Sequence, residues 1–169
     1  MIGKLDSISL KYKILYNSFR MADKFSPKVN EYKKQGFEIL KSKIDRLPSD
    51  VAFVPSFIAT RSTCLKIFDK LYIFLSKKNL KKPAEEKFDA LFHEVGHWLH
   101  FQQMPTKAER LNVWKNANKK KIQKTISERA IQDDDGKEFV AEVFKKIVKG
   151  EKINSENAYL YYLLNGPML

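Results

Sequence analysis

The sequence predicts an α+β fold, with helices at both ends of the chain and a small, mostly antiparallel β-sheet between them. Three observations support this prediction. Apolar residues recur at helical spacing over the first 46 residues. Short runs rich in β-branched and aromatic residues follow between Val51 and Leu75. Helical spacing then returns after Lys81 and continues towards the C-terminus.

The predicted elements form one domain, because no linker rich in Ser, Gly or Pro divides the 169 residues. Residues 1–50 are expected to be the N-terminal helical part of this domain, and residues 51–169 its core. In the first part we predict helices over about residues 5–22 and 27–46. The core is predicted to contain strands at residues 51–54, 61–68 and 71–75, followed by helical stretches at 83–103, 106–130, 137–148 and 159–164.

The chain is strongly basic, with a formal charge of +12 from 32 Lys and Arg against 20 Asp and Glu. Such an excess attracts nucleic acid and acidic protein surfaces but says little about the fold. Most lysines are spread out, and only the segment from Lys115 to Lys124 is dense enough to form a basic patch. This patch lacks the interleaved aromatics and arginines of single-strand binding surfaces. It predicts at most a weak association with nucleic acid or acidic proteins.

Two further features of the sequence bear on the cellular compartment of the protein. Cys64 is the single cysteine, which excludes an internal disulfide, and we expect it to be a small buried strand residue. The N-terminal residues lack the apolar core of a signal peptide, and no apolar run approaches the ~20 residues that span a bilayer. We therefore expect no membrane span, and a protein that is cytoplasmic or delivered by a route that needs no signal peptide.

All three histidines fall in one predicted helix, which contains the motif His93-Glu94-Val95-Gly96-His97. His93 and His97 lie one turn apart, so both imidazoles project from one side of the helix and can share a single ion. Zinc suits this arrangement because it binds neutral imidazole nitrogens and, in catalytic sites, leaves a position to water. Glu94 is then placed to accept a proton from that water, and Gly96 leaves room for a ligand or a backbone to approach. The alternative is an ordinary amphipathic helix with polar residues facing solvent.

A catalytic zinc site needs a third protein ligand, and the chain has no fourth histidine. His100 lies about 10 Å along the helix axis from His93, so it can hardly bind the same ion. Two expectations for it stay open: a residue that lines the cleft, or a side chain that is simply packed or solvated. Glu138 and Glu142 are the best acidic candidates, because one carboxylate can bind zinc while the other holds a ligand imidazole. Two alternatives stay open for these glutamates: a capping box of Asp135 with Glu138, and an exposed pair of Glu142 with Lys146.

The histidine motif, followed about forty residues later by Glu138-Phe139-Val140-Ala141-Glu142-Val143-Phe144, resembles the zinc-peptidase signature of the gluzincin group. It is most similar to the catalytic domains of anthrax-lethal-factor-like and Pro-Pro-endopeptidase-like metalloproteases, a group also met in bacterial toxins and mobile-element proteins. The resemblance covers about residues 51–165. It implies a zincin-like fold, with the sheet packed on the HExxH helix, and a zinc-dependent endopeptidase that binds one zinc ion per chain. The implied roles are zinc ligands for His93, His97 and Glu138, general base for Glu94, and partner of a ligand for Glu142.

The resemblance also implies a peptide substrate that lies extended along an edge strand, for which Arg61, Thr63 and Leu65 are the candidate residues. One position departs from the pattern. These families have a tyrosine seven residues before the glutamate ligand, where its hydroxyl can stabilise the oxyanion, and this sequence has Ile131 there. The substitutes that the sequence offers are His100, Tyr161 and Tyr162.

Two alternatives to an active peptidase stay open. Ile131 favours a catalytically weak or inactive zincin-fold module that binds or builds structure in a mobile element or phage. The basic composition favours a nucleic-acid-associated protein in which the histidine motif is accidental.

Overall fold

The computed structural model describes residues 31, 34–36, 38–43, 52–56, 63–67, 70–76, 82–83, 86, 88–103 and 106–168, and in the three strands it describes the backbone alone. The chain divides into two compact units. One comprises Met1–Lys41 and Arg46–Leu91, and the other comprises Ser42–Asp45 and Phe92–Leu169. The helix predicted over about residues 5–22 lies outside the described residues. Residues 31, 34–36 and 38–41 of the second predicted helix are helical.

The part of the chain with described side chains is helical. Of these residues, 68% lie in helices and none lies in a strand. The predicted α+β, zincin-like fold, with a sheet packed on the HExxH helix, is therefore wrong for this part of the chain. The physical reason is that the unit containing Phe92–Leu169 buries its apolar side chains between helices, as in the contact of Trp114 with Phe139 at 5.6 Å between ring centroids.

Three short strands occur in the backbone of the first unit: β1 (Ala52–Ser56), β2 (Thr63–Ile67) and β3 (Lys70–Ser76). Their order is β1-β3-β2, with β1 parallel and β2 antiparallel to β3. The sheet is mixed, which corrects the prediction of a mostly antiparallel one, because β1 pairs with β3 and not with the strand that follows it. Thr63 and Leu65 lie in β2, at an edge of this described sheet, while Arg61 lies outside the described residues.

Helix α1 (Asp89–Gln103) carries the histidines, and the boundary between the two units falls within it. A helix over Lys137–Val148 is confirmed. The single helical stretch predicted over residues 106–130 is wrong, because the Asn118 side chain accepts a hydrogen bond from Lys121 N and starts a new helix. No described helix combines the length and the apolar character needed to cross a bilayer. The elements after α1 are α2 (Lys107–Trp114), α3 (Lys119–Thr125), a 3-10 turn (Arg129–Ile131), α4 (Lys137–Val148) and α5 (Ser155–Leu163).

Helix α4 lies in the core of the second unit. Gly136, which precedes it, has a φ of 79°, and a Cβ at this position would lie 3.0 Å from the Trp114 ring. Glycine is required there both for the left-handed backbone and for space. The apolar side of α4 includes four fully buried residues, Phe139, Val140, Val143 and Phe144.

Candidate metal centre and active site

Gly96 sets the distance between α1 and α4. A Cβ at this position would lie 2.9 Å from Phe144 Cδ1 and 3.2 Å from the Cα of Ala141. The sequence left open whether a ligand or a backbone approaches this glycine, and the structure shows that α4 does. A larger residue would push the helix with the histidines away from the helix with the glutamates.

His93 and His97 of α1 and Glu138 of α4 form a group that could hold a metal ion. Each offers one ligand atom, and these atoms all lie within 4.8 Å of one another. Glu138 Oε2 lies 3.2 Å from His93 Nε2, and Glu138 Oε1 lies 3.1 Å from His97 Nε2. Ligand atoms of a tetrahedral site with bonds of about 2.1 Å are separated by about 3.4 Å. The donor atoms are therefore close enough together to be gathered around one small divalent cation.

The imidazole nitrogens support this fit. His93 is 1% exposed; its Nδ1 lies 2.8 Å from Glu142 Oε1, and its Nε2 lies 3.2 Å from Glu138 Oε2 without a well-aligned hydrogen bond. Within the described part of the chain, His97 Nδ1 is also buried without a hydrogen-bond partner. Buried polar atoms without partners cost free energy. A cation at His93 Nε2 would give this atom the partner that it lacks.

Glu142 orients the His93 ring. Its Oε1 lies 2.8 Å from His93 Nδ1, so the ring hydrogen is assigned to Nδ1 and Nε2 is turned towards Glu138. Burial alone lowers the pKa of His93, but the carboxylates of Glu138 and Glu142 raise it above its usual value. A metal ion bound at Nε2 would therefore displace a proton, and metal binding would weaken as the pH falls.

Two further side chains hold the Glu142 carboxylate. Ser127 Oγ donates a hydrogen bond of 2.9 Å to Glu142 Oε2, and Lys145 Nζ donates one of 2.8 Å to the same oxygen. Burial raises the pKa of Glu142, but the contacts with His93 and Lys145 outweigh it and lower the pKa to about 2. The carboxylate is thus ionised and fixed on three sides.

The structure supports neither of the alternatives for the two glutamates. Asp133, and not Asp135, accepts the backbone hydrogen bond of Glu138 N, at 3.0 Å. Asp135 instead accepts a hydrogen bond of 2.8 Å from Arg110 Nη2. Glu142 is 2% exposed, and Lys146 donates to Glu151 at 2.6 Å instead of pairing with it.

Glu138 also receives a hydrogen bond from Arg129, whose Nε lies 3.0 Å from Oε2. Burial raises the pKa of Glu138, but the contacts with His93 and His97 hold it well below its usual range, so the carboxylate is ionised. The Glu138 side chain is 22% exposed, which leaves the group accessible to solvent at this carboxylate.

Glu94 places a buried carboxylate in the same region. It is 2% exposed, and burial raises the pKa of its carboxyl group. Among the described residues its Oε1 has no hydrogen-bond partner, and it lies 3.6 Å from Arg129 Nη2. A carboxylate with a raised pKa is suited to taking up and returning a proton.

The structure gives the three candidates for an oxyanion donor other partners or a place on the surface. His100 is fully buried, and its Nε2 donates a hydrogen bond of 2.8 Å to the Leu164 carbonyl. The buried Tyr161 hydroxyl donates to the Pro167 carbonyl at 2.6 Å, and burial raises its pKa. Tyr162 is 68% exposed on α5. The first two side chains are therefore engaged in holding the C-terminal turn.

The sequence did not single out Ser127, Arg129 or Lys145. Ser127 and Arg129 lie in the stretch before α4, which was predicted to be the end of a long helix and is a 3-10 turn that ends at Ile131. The resemblance pointed to Ile131 instead, which lies two residues after Arg129. A usable signal existed for Lys145 alone, which lies three residues after Glu142 on the same helix.

The lysines of the basic patch are exposed. They are Lys115, Lys119, Lys120, Lys121 and Lys124. Lys121 forms an ion pair with Glu156, and Lys119 Nζ lies 5.8 Å from the centroid of the Trp114 ring. The other three present their charge on the surface of α3 and the turn before it.

No family model matches the chain, and no match was found among curated proteins or among solved structures.

Proposed function

We propose that the protein is a zinc-dependent hydrolase and, more specifically, an endopeptidase. The observation that supports the proposal is the convergence of His93, His97 and Glu138, with the buried carboxylate of Glu94 in the same region. Two imidazoles and one carboxylate are a ligand set of catalytic zinc sites that keep one position for water. Structural zinc sites are typically closed by four protein ligands, whereas this group has three among the described residues.

Zinc would be held by His93 Nε2, His97 Nε2 and a Glu138 oxygen, and it would supply a Lewis acid that acidifies water and polarises a carbonyl group. Glu94 accepts the proton of the attacking water and passes it to the leaving amine as the C–N bond breaks. Burial, which raises the pKa of Glu94, suits this return of the proton. Glu142 keeps the His93 ring turned so that Nε2 points to Glu138.

A peptide is the substrate class that we propose. Zinc with a general base can hydrolyse many carbonyl compounds, so the chemistry of the group alone does not select peptides. The preference comes from the order and spacing of the two motifs, at residues 93–97 and 138–144, which resemble the gluzincin signature.

Metal content is the first test. The purified protein is incubated with zinc, dialysed and measured by elemental analysis, and about one zinc per chain is expected. Glu138→Ala should lose most of this zinc. Glu151→Gln is the matched control, because it removes a carboxylate that pairs with Lys146 away from the site, and it should keep the wild-type content. A wild-type protein that binds no zinc would contradict the proposal.

Glu94→Gln separates metal binding from catalysis. This variant should keep one zinc per chain, and it should cleave a random peptide library about 10²–10⁴-fold more slowly than the wild type. A chelator should abolish the wild-type cleavage, and zinc should restore it. Cleavage by Glu94→Gln at the wild-type rate would exclude the proposed role of this residue.

The exposed lysines favour a second, accessory activity, the weak binding of nucleic acid. Phosphate contacts of this kind weaken steeply as salt is added. A gel-shift titration with single-stranded and duplex DNA and RNA at low salt tests it against a variant with Lys115, Lys119, Lys120 and Lys124 changed to Gln. Binding by the wild type alone, lost on adding salt, is expected, and no shift at low salt would rule the activity out.

A further inference from the structure

Arg129 places a cation beside the candidate active site. Its Nε donates a hydrogen bond of 3.0 Å to Glu138 Oε2, and its Nη2 lies 3.6 Å from Glu94 Oε1. One guanidinium group thus lies next to both Glu138, which is proposed to bind the metal, and Glu94, which is proposed to transfer the proton. No other Arg or Lys contacts both carboxylates within the described residues.

The 3-10 turn that carries Arg129 is fixed to α4. Ser127 Oγ accepts a hydrogen bond of 3.2 Å from Ala130 N and donates one of 2.9 Å to Glu142 Oε2. Together with the bond from Arg129 to Glu138, this ties the turn to two glutamates that lie one helical turn apart. The arginine is therefore held in place by contacts of its neighbours as well as by its own.

The guanidinium group keeps donors for a substrate. Its one hydrogen bond within the described residues uses Nε, and the contact of Nη2 with Glu94 is too long to be a hydrogen bond. The Arg129 side chain is 39% exposed, and its Nη groups make no hydrogen bond within the described residues. Lys145, another cation of the cluster, already donates to Glu142 and is 19% exposed.

We propose that Arg129 is a catalytic residue, whose Nη groups bind the carbonyl oxygen of the substrate and stabilise the oxyanion that forms there. This inference rests on the proposed hydrolase function. In this role Arg129 would replace the tyrosine hydroxyl that the family pattern has at position 131. Ile131 cannot do so, because an aliphatic side chain has no hydrogen-bond donor. An arginine two residues earlier, in the same turn, supplies a donor that also carries a positive charge.

The step balances without further reactants. The water oxygen adds to the carbonyl carbon while Glu94 takes one water proton, and the electron pair of the C=O double bond moves to oxygen. Arg129 donates hydrogen bonds to this oxyanion without losing a proton. The oxyanion then re-forms the C=O bond, the C–N bond breaks, and the amine leaves with the proton that Glu94 held.

A purely structural role for Arg129, orienting Glu138, makes a different prediction. Loss of orientation would weaken zinc binding, and activity would return once the site is saturated with zinc. Loss of an oxyanion donor would leave zinc binding intact and lower kcat with little change in KM. Zinc affinity and steady-state kinetics at saturating zinc therefore distinguish the two roles.

The experiment compares zinc-loaded wild type, Arg129→Gln, Arg129→Lys and the control Lys152→Gln, which removes one exposed positive charge elsewhere. The substrate is a fluorogenic peptide chosen from a random library by wild-type cleavage. Zinc affinity is measured by competition with a colorimetric chelator. A phosphonamidate analogue of the same peptide, which carries a tetrahedral anion, reports on oxyanion binding.

For Arg129→Gln we expect zinc affinity within about 3-fold of the wild type, a kcat lower by about 10²–10³, and analogue binding weakened in parallel. Arg129→Lys should recover part of the loss, and Lys152→Gln should match the wild type. Two results would overturn the inference: Arg129→Gln cleaving within about 3-fold of the wild type, or a loss that zinc saturation repairs. A wild-type protein that cleaves no library peptide would instead refute the proposed function, and the inference with it.

Discussion

His93 Nδ1 and Glu142 Oε1 lie 2.8 Å apart, both on side chains that are almost completely buried. The contact joins the HExxH helix to the glutamate helix at a point where no solvent can replace either partner. Its effect is to leave Nε2 as the ring nitrogen that can bind a metal ion.

Glu142→Gln should therefore weaken zinc binding without abolishing it. Loss of a partner that orients a ligand typically costs about 10–100-fold in metal affinity. Competition titration with a colorimetric chelator measures the change, with Glu151→Gln as the control for removal of a carboxylate outside the site. Equal affinity of Glu142→Gln and the wild type would show that Glu142 does not orient His93.

Gly96→Ala should destabilise the fold and weaken zinc binding together. Alanine raises helix propensity by about 1 kcal/mol, but its Cβ would lie 2.9 Å from Phe144 Cδ1 and 3.2 Å from a backbone atom of α4. Overpacking of this kind costs about 1–3 kcal/mol. Urea unfolding and zinc titration provide the two measurements.

A double-mutant cycle checks the cause of the Gly96→Ala effect. Phe144→Ala removes the ring, including the Cδ1 atom nearest to the new methyl group, so the double variant should lose less stability than the sum of the two single losses. Strict additivity, or a gain in stability from Gly96→Ala alone, would show that α4 does not limit the size of this residue.

His100 should make stability depend on pH in the mildly acidic range. Burial lowers its pKa from 6.5 to about 4, although the hydrogen bond to the Leu164 carbonyl opposes this. Between these two values the unfolded chain binds more protons than the folded one, so stability falls as the pH falls from 6.5 through 4. The loss amounts to about 3 kcal/mol for a shift of this size.

Unfolding by urea, in a metal-free buffer at several pH values between 7 and 4, checks the His100 prediction. His100→Gln can still donate to the Leu164 carbonyl but does not titrate, so the stability difference between it and the wild type isolates His100 from the other histidines. A difference that stays constant across this pH range would contradict the prediction.

Arg110→Met should be strongly destabilising, because it leaves the buried carboxylate of Asp135 without the hydrogen bond from Arg110 and with Lys137 alone as a cation, at 3.6 Å. The two side chains are 5% and 7% exposed and lie 2.8 Å apart. Breaking a buried ion pair on one side costs about 3–5 kcal/mol. Thermal unfolding measures the loss, and the double variant Arg110→Met/Asp135→Leu should recover much of it. A loss in the double variant as large as in Arg110→Met would argue against an unpaired charge as the cause.

The candidate metal group could be predicted from the sequence because its residues are related by helix geometry. A spacing of four residues places His93 above His97 and Glu138 above Glu142 whatever surrounds the helices. The packing of the two helices determines which glutamate contacts which histidine. The expectation for this contact came from the resemblance to a family, because the spacing alone does not determine it.

The surroundings of the site could not be predicted in the same way. Runs such as residues 71–75 show a local preference for a strand, but they do not show which helices, if any, cover the sheet. The contacts of Ser127 and Arg129 with α4 depend on a turn that breaks a helical pattern of apolar residues. Asn118, by contrast, is a residue type that favours the N-cap position, and it could have been used to predict a helix start there and a shorter helix before it.

The Ser127 hydroxyl makes two hydrogen bonds. It accepts one from Ala130 N, in the turn that carries Arg129, and it donates one to Glu142, the carboxylate next to His93. If His93 binds a metal ion, this hydroxyl couples the position of the turn to the position of the imidazole. A ligand that immobilises the turn must tighten metal binding by the same factor by which the metal tightens that ligand. The change in metal affinity caused by such a ligand, and the change in its own affinity caused by the metal, would then both measure one coupling free energy.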